Sequence, residues 1–524
     1  MIKEKYKFIT SALLIAIFSL LSRILGVLRS TLLAAFYGAT SSTGLSDCYT
    51  ASFKLPDIVF NLIAAGSISI ILIPYFSSFI VKKEDEDNLN KACSSFLNLF
   101  FLLILIFVTI AFLFAPYFVR NFLVAGWSDE NNILLTIKMT RILLLQVMFM
   151  TLSSIFGSYL NSIERFLSYS FAMLFYNVGI ILGIIFLSPV FSIEGVVWGV
   201  VIGAFGHFFI QLVGSIKNGF RYSLTLPTFD REERKLIIVA IPRIIAISSE
   251  QLVRFFFVNF GSFIFLGSIF IFDNIENIGM LPYGVIAVSV STAAFPVFVK
   301  LFNQNNSENL LDTLIKNIRF LMFLIVPITL FMILFRYELV DLLLHYNKFS
   351  DEDVKITANG LLYYLFGIPF LSITIVVVKF YYSIKKSVLP MIIALISVFV
   401  TILISYLFVA KYNIVALSLG RFFGYFVQAF LLIFFIFYRN DFRKIISMYD
   451  IIQIIKIILC SGIVFVIGLM LYKYSNFSNN TKLNSFFTIL VLGSGGLVLY
   501  ILLSFLLKID DIHYFFDIFK KKNR

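Results

Sequence analysis

Long apolar runs separated by short polar breaks fill the chain from end to end. An apolar run of about 20 residues can cross the ~30 Å hydrocarbon core of a bilayer as a helix. The pattern predicts fourteen such spans, or thirteen or fifteen if 236–299 is divided differently. The predicted spans are 8–36, 46–80, 92–118, 132–160, 167–188, 192–215, 236–265, 268–299, 312–335, 356–383, 388–410, 413–438, 451–472 and 484–507. The fold class is therefore an all-α polytopic membrane protein.

The basic residues in the connections predict the orientation of these spans. Lysine and arginine concentrate in alternate connections and near both chain ends, whereas the connections 37–46 and 188–194 contain none. Connections rich in lysine and arginine remain on the cytoplasmic side of a membrane. Both termini are therefore predicted to be cytoplasmic. An even number of spans agrees with this orientation.

Composition excludes several classes of protein. The 524 residues are 60% hydrophobic and 14% charged, which is too apolar for a soluble fold of this size. The net charge of +13 lies in short connections and forms no basic domain, so no nucleic acid is expected as a partner. Three cysteines and three histidines are scattered, which predicts no metal site and no cofactor. With no phosphate-binding glycine loop and no catalytic grouping at bilayer depth, the chain is not expected to be an enzyme.

Two proline-bearing spans indicate an internal repeat. The second span contains Pro56 and Pro74, and the eighth contains Pro282 and Pro296. Each follows a span with two arginines, which are Arg23 and Arg29 in the first case and Arg243 and Arg254 in the second. We interpret the chain as two parallel six-helix lobes around a central cavity, although chance similarity between such helices is the alternative. The predicted divisions are an N-lobe at 1–215, a cytoplasmic loop at 216–235, a C-lobe at 236–438, and a helix pair with a cytoplasmic tail at 439–524.

Arg23 and Arg29 are the most informative charges, because both fall inside the first span. An arginine at bilayer depth costs about 2.5–3.5 kcal/mol even on the lenient insertion scale. No acid follows either residue at helical spacing. The pair therefore predicts a wet cavity that receives an anion. The alternative is that both arginines pair with acids on other helices and fix the register of the bundle.

Further polar and charged side chains fall at bilayer depth on the first two helices of each lobe. Arginine suits a pyrophosphate, because its planar guanidinium binds phosphate oxygens in bidentate fashion. The candidate substrate-binding residues are Arg23, Arg29, Asp47, Lys54, Arg254 and Asn277. The candidate ion-binding or charge-balancing residues are Asp57, Glu250, Asp273 and Glu276. Glu250 and Arg254 are four residues apart, so a local salt bridge is an alternative role for Arg254.

Several of these segments resemble motifs of one family. The segment 22–29, Ser-Arg-Ile-Leu-Gly-Val-Leu-Arg, resembles the first-helix motif of the lipid II flippase family, the MurJ/MviN group of the multidrug/oligosaccharidyl-lipid/polysaccharide flippase superfamily. The segment 47–57, which ends in Lys-Leu-Pro-Asp, is similar to the second helix of that family. Segment 161–166 with Asn177-Val178-Gly179 resembles the turn between helices 4 and 5 and the helix that follows. Gln251, Leu281-Pro282 and Pro296 resemble positions of helices 7 and 8. The likeness extends over the whole chain.

The resemblance implies a fold, a cargo and a site. Family members have two lobes around a cationic cavity that opens alternately to the two sides, and helices 13 and 14 form a groove for a lipid tail. The implied cargo is the undecaprenyl-pyrophosphate-linked peptidoglycan precursor, moved outward for wall synthesis. Membrane lipids and wall-synthesis or division proteins are the other implied partners. The functional residues that carry over are Arg23, Arg29 and Asp47.

The chain also departs from the family pattern. Ser30 stands where an acid often follows the second arginine, Phe60 where some members have a helix-2 arginine, and Asn277 where they have a helix-8 arginine. Arg254 is close enough in sequence to replace one missing cation. The alternative functions are a sibling exporter of drugs or of other lipid-linked polysaccharide units, and a non-transporting membrane scaffold.

Overall fold

The computed structural model describes residues 2–40, 43–65, 68–81, 86–225, 231–438, 447–474 and 482–520. All regular structure in these residues is helical, which confirms the predicted fold class. The helices are α1 (Ile2–Tyr37), α2 (Leu45–Ser52), α3 (Lys54–Phe60), α4 (Ile68–Val81), α5 (Glu86–Phe118), α6 (Glu130–Ser162), α7 (Phe166–Leu182), α8 (Ser188–Phe191), α9 (Ile193–Lys217), α10 (Arg231–Ser262), α11 (Ser268–Gly279), α12 (Val288–Asn303), α13 (Ser307–Leu334), α14 (Arg336–Leu344), α15 (Asp351–Leu365), α16 (Ile368–Ser383), α17 (Val388–Tyr412), α18 (Ile414–Tyr438), α19 (Met448–Tyr474), α20 (Lys482–Leu506) and α21 (Asp510–Lys520). Four π-helical segments interrupt them, namely π1 (Asn61–Ala65), π2 (Val119–Leu123), π3 (Gly183–Leu187) and π4 (Tyr283–Ala287).

Eleven of the described helices are long and apolar enough to cross a membrane, or twelve if α15 and α16, bent by 43°, form one span. The predicted count of fourteen is not confirmed. The two predicted spans that are not counted are 46–80 and 236–265. The first consists of α2, α3, π1 and α4, none of which is long enough alone. The second lies mostly in α10, of whose side chains the structure describes only a part.

The two proline-bearing spans share one order of irregularities. In the first, Pro56 lies at the start of α3, π1 follows, and α4 contains Pro74. In the second, Pro282 directly precedes π4, and α12 contains Pro296. Proline has no N–H to donate to the α-helical hydrogen-bond pattern, which favours a change of helical winding nearby. This shared order supports the predicted repeat.

The chain divides into two compact units. The first contains residues 1–270 with 346–350, and the second contains 271–345 with 351–524. The lobe boundaries proposed from the sequence, with a loop at 216–235 between the lobes, stay a prediction.

Small residues bring two helices of the first unit into backbone contact. A Cβ added to Gly179 of α7 would lie 2.3 Å from the Cα of Gly203 of α9. One added to Gly183 of π3 would lie 2.7 Å from the Cα of Gly199. Glycines on facing helices permit this close approach, which is typical of helix pairs in membranes. The closely packed helices α7 and α9 therefore position α1, which packs against α7.

A buried arginine connects three helices of the second unit. Arg319 of α13 forms ion pairs with Asp450 of α19 at 3.0 Å and with Asp511 of α21 at 2.9 Å. Asp510 is 3.6 Å from the same guanidinium. Burial raises the pKa of Asp511 to about 6, although Arg319 opposes the shift. These contacts attach α19 and the short helix α21 to α13.

Candidate substrate-binding site

The two arginines of the first span differ in their surroundings. Arg23 is exposed on α1, and Arg29 is half-buried on the same helix. Arg29 donates from Nη1 to Oδ1 of Asn177 on α7 at 3.3 Å. Because this partner is a neutral amide, the contact orients the guanidinium without neutralising its charge. This contact therefore leaves the positive charge of Arg29 in place.

Asn177 is the centre of a small network that fixes α1 against α7. Its Nδ2 donates to the backbone oxygen of Ser22 at 3.1 Å and to Oγ of Ser22 at 3.2 Å. The Ser22 hydroxyl in turn donates to the carbonyl of Met173 at 3.2 Å. Sequence reasoning matched Asn177 to a family motif but gave it no role, because an uncharged amide gives no signal at bilayer depth. The structure makes Asn177 the residue that positions Arg29.

Asp47 lies in the first turn of α2 and is fully buried. Its Oδ2 accepts a hydrogen bond from the backbone N–H of Gly267 at 2.7 Å, and its Oδ1 accepts one from Phe270 at 2.8 Å. Gly267 has a φ of +102°, and a Cβ there would lie 2.4 Å from the carbonyl oxygen of Ala39. Asp47 thus caps the N-terminus of α11, where a negative charge is favourable. A role in substrate binding stays a prediction.

The remaining candidate residues of the first unit lie on two helices that pack against each other, α3 and α10. Lys54 begins α3 and is buried, and Asp57 is half-buried one turn later. Glu250 and Arg254 of α10 are both half-buried. Each of these two contacting helices therefore carries one candidate cation and one candidate acid. The side chain of Arg243 falls outside the described residues.

Asn277 occupies an exposed position on α11 of the second unit. Its Nδ2 donates to Oδ2 of Asp273, one turn earlier, at 3.0 Å. This position therefore carries a neutral amide beside an acid.

Glu276, on the same helix, forms a buried ion pair. Arg421 of α18 approaches Oε1 of Glu276 through Nε at 2.8 Å and through Nη2 at 2.7 Å. Arg421 is 2% exposed and Glu276 is 8% exposed. The guanidinium also lies over the ring of Tyr425, 5.6 Å from its centroid. The structure thus gives Glu276 a charge-balancing contact, and Arg421 is the cation it balances.

Sequence reasoning missed one lysine of the second unit. Lys379 of α16 donates from Nζ to Oγ1 of Thr292 on α12 at 2.8 Å. The lysine lies only four residues before the end of α16 at Ser383, where basic residues are common at a membrane interface. Its direction toward another helix could not be read from the sequence.

The described residues contain no group of three or more His, Cys, Asp or Glu side chains placed to hold a metal ion. Charged and amide side chains lie on the described membrane-spanning helices, among them Arg29, Asn177 and Lys379. Groups of this kind bind anions by charge and hydrogen bonding. A bundle of membrane-spanning helices that carries such groups is typical of a helical membrane transporter.

Comparisons with known structures and sequences agree with that class. A multidrug-transporter structure of the MATE family shares the fold, with a TM-score of 0.65 over 79% of this chain and 93% of that one, at 14% identity. A structure described as lipid II flippase MurJ, inward closed conformation, matches with a TM-score of 0.77 and 25% identity over 94% of this chain and 98% of that one.

The sequence comparisons are more specific. The family model described as lipid II flippase MurJ matches residues 33–493. A probable lipid II flippase MurJ of Buchnera aphidicola from Schizaphis graminum is 28% identical over 98% of this chain and 99% of its own length. One of Borreliella burgdorferi is 26% identical over 79% and 80%. The chain belongs to the lipid II flippase MurJ family, which confirms the resemblance seen in its motifs.

Proposed function

We propose that this protein moves lipid II, the lipid-linked and pyrophosphate-bearing peptidoglycan precursor, from the inner to the outer leaflet by alternating access. The observation that carries the proposal is Arg29, a cation within a membrane span that a neutral amide holds in place. A fixed guanidinium with N–H donors to spare matches the oxygens of a pyrophosphate. Membership of the MurJ family supports the choice of cargo.

The cationic residues of the first unit have two roles in binding the cargo. Arg23 and Arg29 bind the pyrophosphate, and Lys54 and Arg254 add positive charge from α3 and α10. The acids Asp57 and Glu250 offset these cations while the cavity is empty. In the second unit Asp273 and Asn277 form a polar pair, and Glu276 balances Arg421. The protein performs no covalent chemistry in this proposal.

The proposed setting is the cytoplasmic membrane of a bacterium, with both chain ends in the cytoplasm. The lysines and arginines near the two ends and in alternate connections support this orientation. Wall-synthesis or division proteins are proposed as partners, because they would use the exported precursor.

Depletion of the protein in its host tests the cargo directly. Lipid II is expected to accumulate in the cytoplasmic leaflet, because the chemistry that makes it would continue while its exit stops. Leaflet-specific labelling of the precursor after depletion measures this. Normal lipid II with a missing surface glycan would point to the sibling exporters of other lipid-linked units and would overturn the proposal.

Membrane potential is expected to drive the transport. A charge that leaves the negative cytoplasm gains about 2.3 kcal/mol per 100 mV, to the extent that it crosses uncompensated. Flipping in ATP-depleted vesicles that contain the protein should therefore continue and should accelerate when the interior-negative potential is raised. The rate of lipid II exposure at several imposed potentials provides the measurement. Rates indifferent to potential and to any ion gradient would contradict this expectation.

Arg254 is expected to replace a cation that relatives carry on helix 8. Arg254→Ala should reduce transport as severely as loss of Arg29, whereas Glu250→Gln should be milder because it removes only the offsetting charge. Asn277→Arg combined with Arg254→Ala should restore part of the activity. Complementation of a depleted strain, with membrane levels of each variant checked, measures all three. A silent Arg254→Ala, or one that harms folding alone, would make this residue structural.

A further inference from the structure

One face of α12 and the preceding π4 is exposed and carries hydroxyl groups. Exposed positions recur at helical spacing at Val285, Ser289, Thr292, Pro296 and Lys300. The Ser289 hydroxyl donates to the carbonyl of Val285 at 2.6 Å and is therefore satisfied within the segment. A charged group is costly on a face that meets only lipid tails, so a lysine that approaches this face favours contact with water or with a polar ligand.

Lys379 extends this polar face from the neighbouring helix. Its Nζ donates to Oγ1 of Thr292 at 2.8 Å, and the same hydroxyl donates to the carbonyl of Val288 at 2.7 Å. An ammonium has three N–H donors, of which Thr292 accepts one. Among the residues that the structure describes, no carboxylate lies within ion-pair distance of Nζ. Arg319 and Arg421 of the same unit, by contrast, are both paired with acids.

The direction of Lys379 argues against simple snorkelling to the membrane surface. A snorkelling lysine extends toward the nearer end of its own helix, and Ser383 ends α16 only about 6 Å away. Its ammonium instead contacts Thr292, eleven residues before the end of α12 at Asn303. The charge is therefore held against a polar helix face within the membrane-spanning part of the unit.

We propose that Lys379, Thr292 and Ser289 form an anion-binding subsite of the second unit that takes a phosphate oxygen of the lipid-linked cargo. The inference rests on the proposed function and deepens it. The subsite supplies a cation to a unit whose Asn277 is neutral and whose Arg421 is neutralised by Glu276. Thr292 holds the ammonium in place. Ser289, one turn earlier, lies on the same face, and its hydroxyl, which donates to the carbonyl of Val285 at 2.6 Å, would turn from that carbonyl to donate to the ligand.

Binding of a polyprenyl pyrophosphate to the full-length protein in nanodiscs of zwitterionic lipid tests the subsite. Lys379→Met keeps the apolar stem and removes the charge, and it should weaken binding about tenfold or more. Lys379→Arg should stay within about threefold of the unsubstituted protein, because it keeps the charge. Thr292→Val should weaken binding about threefold, and Thr292→Ser should restore it. Lys411→Met is the matched control, since Lys411 is an exposed lysine of α17 that contacts the ring of Tyr412 at 5.2 Å, and it should have no effect.

Two further ligands identify the source of the phosphate. A polyprenol without phosphate should bind all variants equally. Phosphatidylglycerol should compete only weakly, and a loss at Lys379→Met confined to this phospholipid would make the subsite a headgroup site and overturn its assignment to cargo. If the unsubstituted protein does not bind the pyrophosphate, the proposed function itself fails. If the unsubstituted protein and Lys379→Met bind the pyrophosphate equally, only the subsite is refuted. If Lys379→Met does not fold, the comparison of Thr292→Val with Thr292→Ser tests the subsite in its place.

Discussion

Replacing Arg29 with alanine is expected to abolish flipping while the protein stays inserted and folded. The hydrogen bond to Asn177 orients the guanidinium before the pyrophosphate binds. Removing it leaves only a neutral amide at that point. Arg29→Lys should rescue flipping in part, because the charge remains but the bidentate geometry is lost. Arg23→Ala should have the same effect, since Arg23 is exposed on the same helix.

Growth of a strain depleted of the protein, complemented with each variant, measures this effect, and immunoblots of membranes show whether the variants are inserted. Arg120→Ala is a matched control. Arg120 is an exposed residue of π2 that forms an ion pair with Glu130, and pairs of this kind contribute little to stability. The control variant should therefore complement fully. Full activity of both Arg23→Ala and Arg29→Ala would refute the cationic site.

The ion pair between Glu276 and Arg421 is expected to dominate the stability of the second unit. Arg421→Ala leaves a buried carboxylate without its cation, which typically costs about 3–5 kcal/mol. Glu276→Ala should cost a similar amount, because it strands a guanidinium that is 2% exposed. Replacing both at once, with Glu276→Leu and Arg421→Met, should recover most of the loss, since no unpaired charge then remains.

Thermal unfolding of the purified variants in detergent measures these differences. The control pair is Lys316 and Asp312, an exposed ion pair on α13 at 2.6 Å whose loss should cost less than about 1 kcal/mol. A double variant no more stable than Arg421→Ala would show that the pair contributes more than charge balance. Equal stability of all variants would mean that water reaches the site and compensates the lone charge.

The sequence predicts the fold class well because apolar run length is a local property that the bilayer imposes. The predicted spans at 46–80 and 236–265 are not among the eleven or twelve candidate spans of the described residues. Pro56 and π1 divide the described part of the first into short segments, which the length of an apolar run does not reveal. The count of fourteen stays a prediction.

Candidate site residues could be predicted only where a charged residue interrupts an apolar run. Arg23 and Arg29 stand out because charge inside an apolar run is costly. The partners of other charged residues lie far away in the sequence, and no local pattern identifies them. Asp47 meets the backbone of Gly267 more than two hundred residues later, and Lys379 reaches Thr292 across two helices. Such contacts depend on how the helices pack, which no local pattern encodes.

The π-helical segment π4 has a consequence for the spacing of residues along the chain. A π-helical turn is equivalent to one extra residue inserted in an α-helix. Deleting one residue between Tyr283 and Ala287 would remove that extra residue, so the segment would wind as a regular α-helix and α12 would keep its orientation. Inserting one residue between Val288 and Thr292, where the helix is regular, would instead rotate Thr292 by about 100° relative to the preceding turn. A change of one residue is therefore absorbed within π4, whereas the same change within α12 would separate Lys379 from its partner.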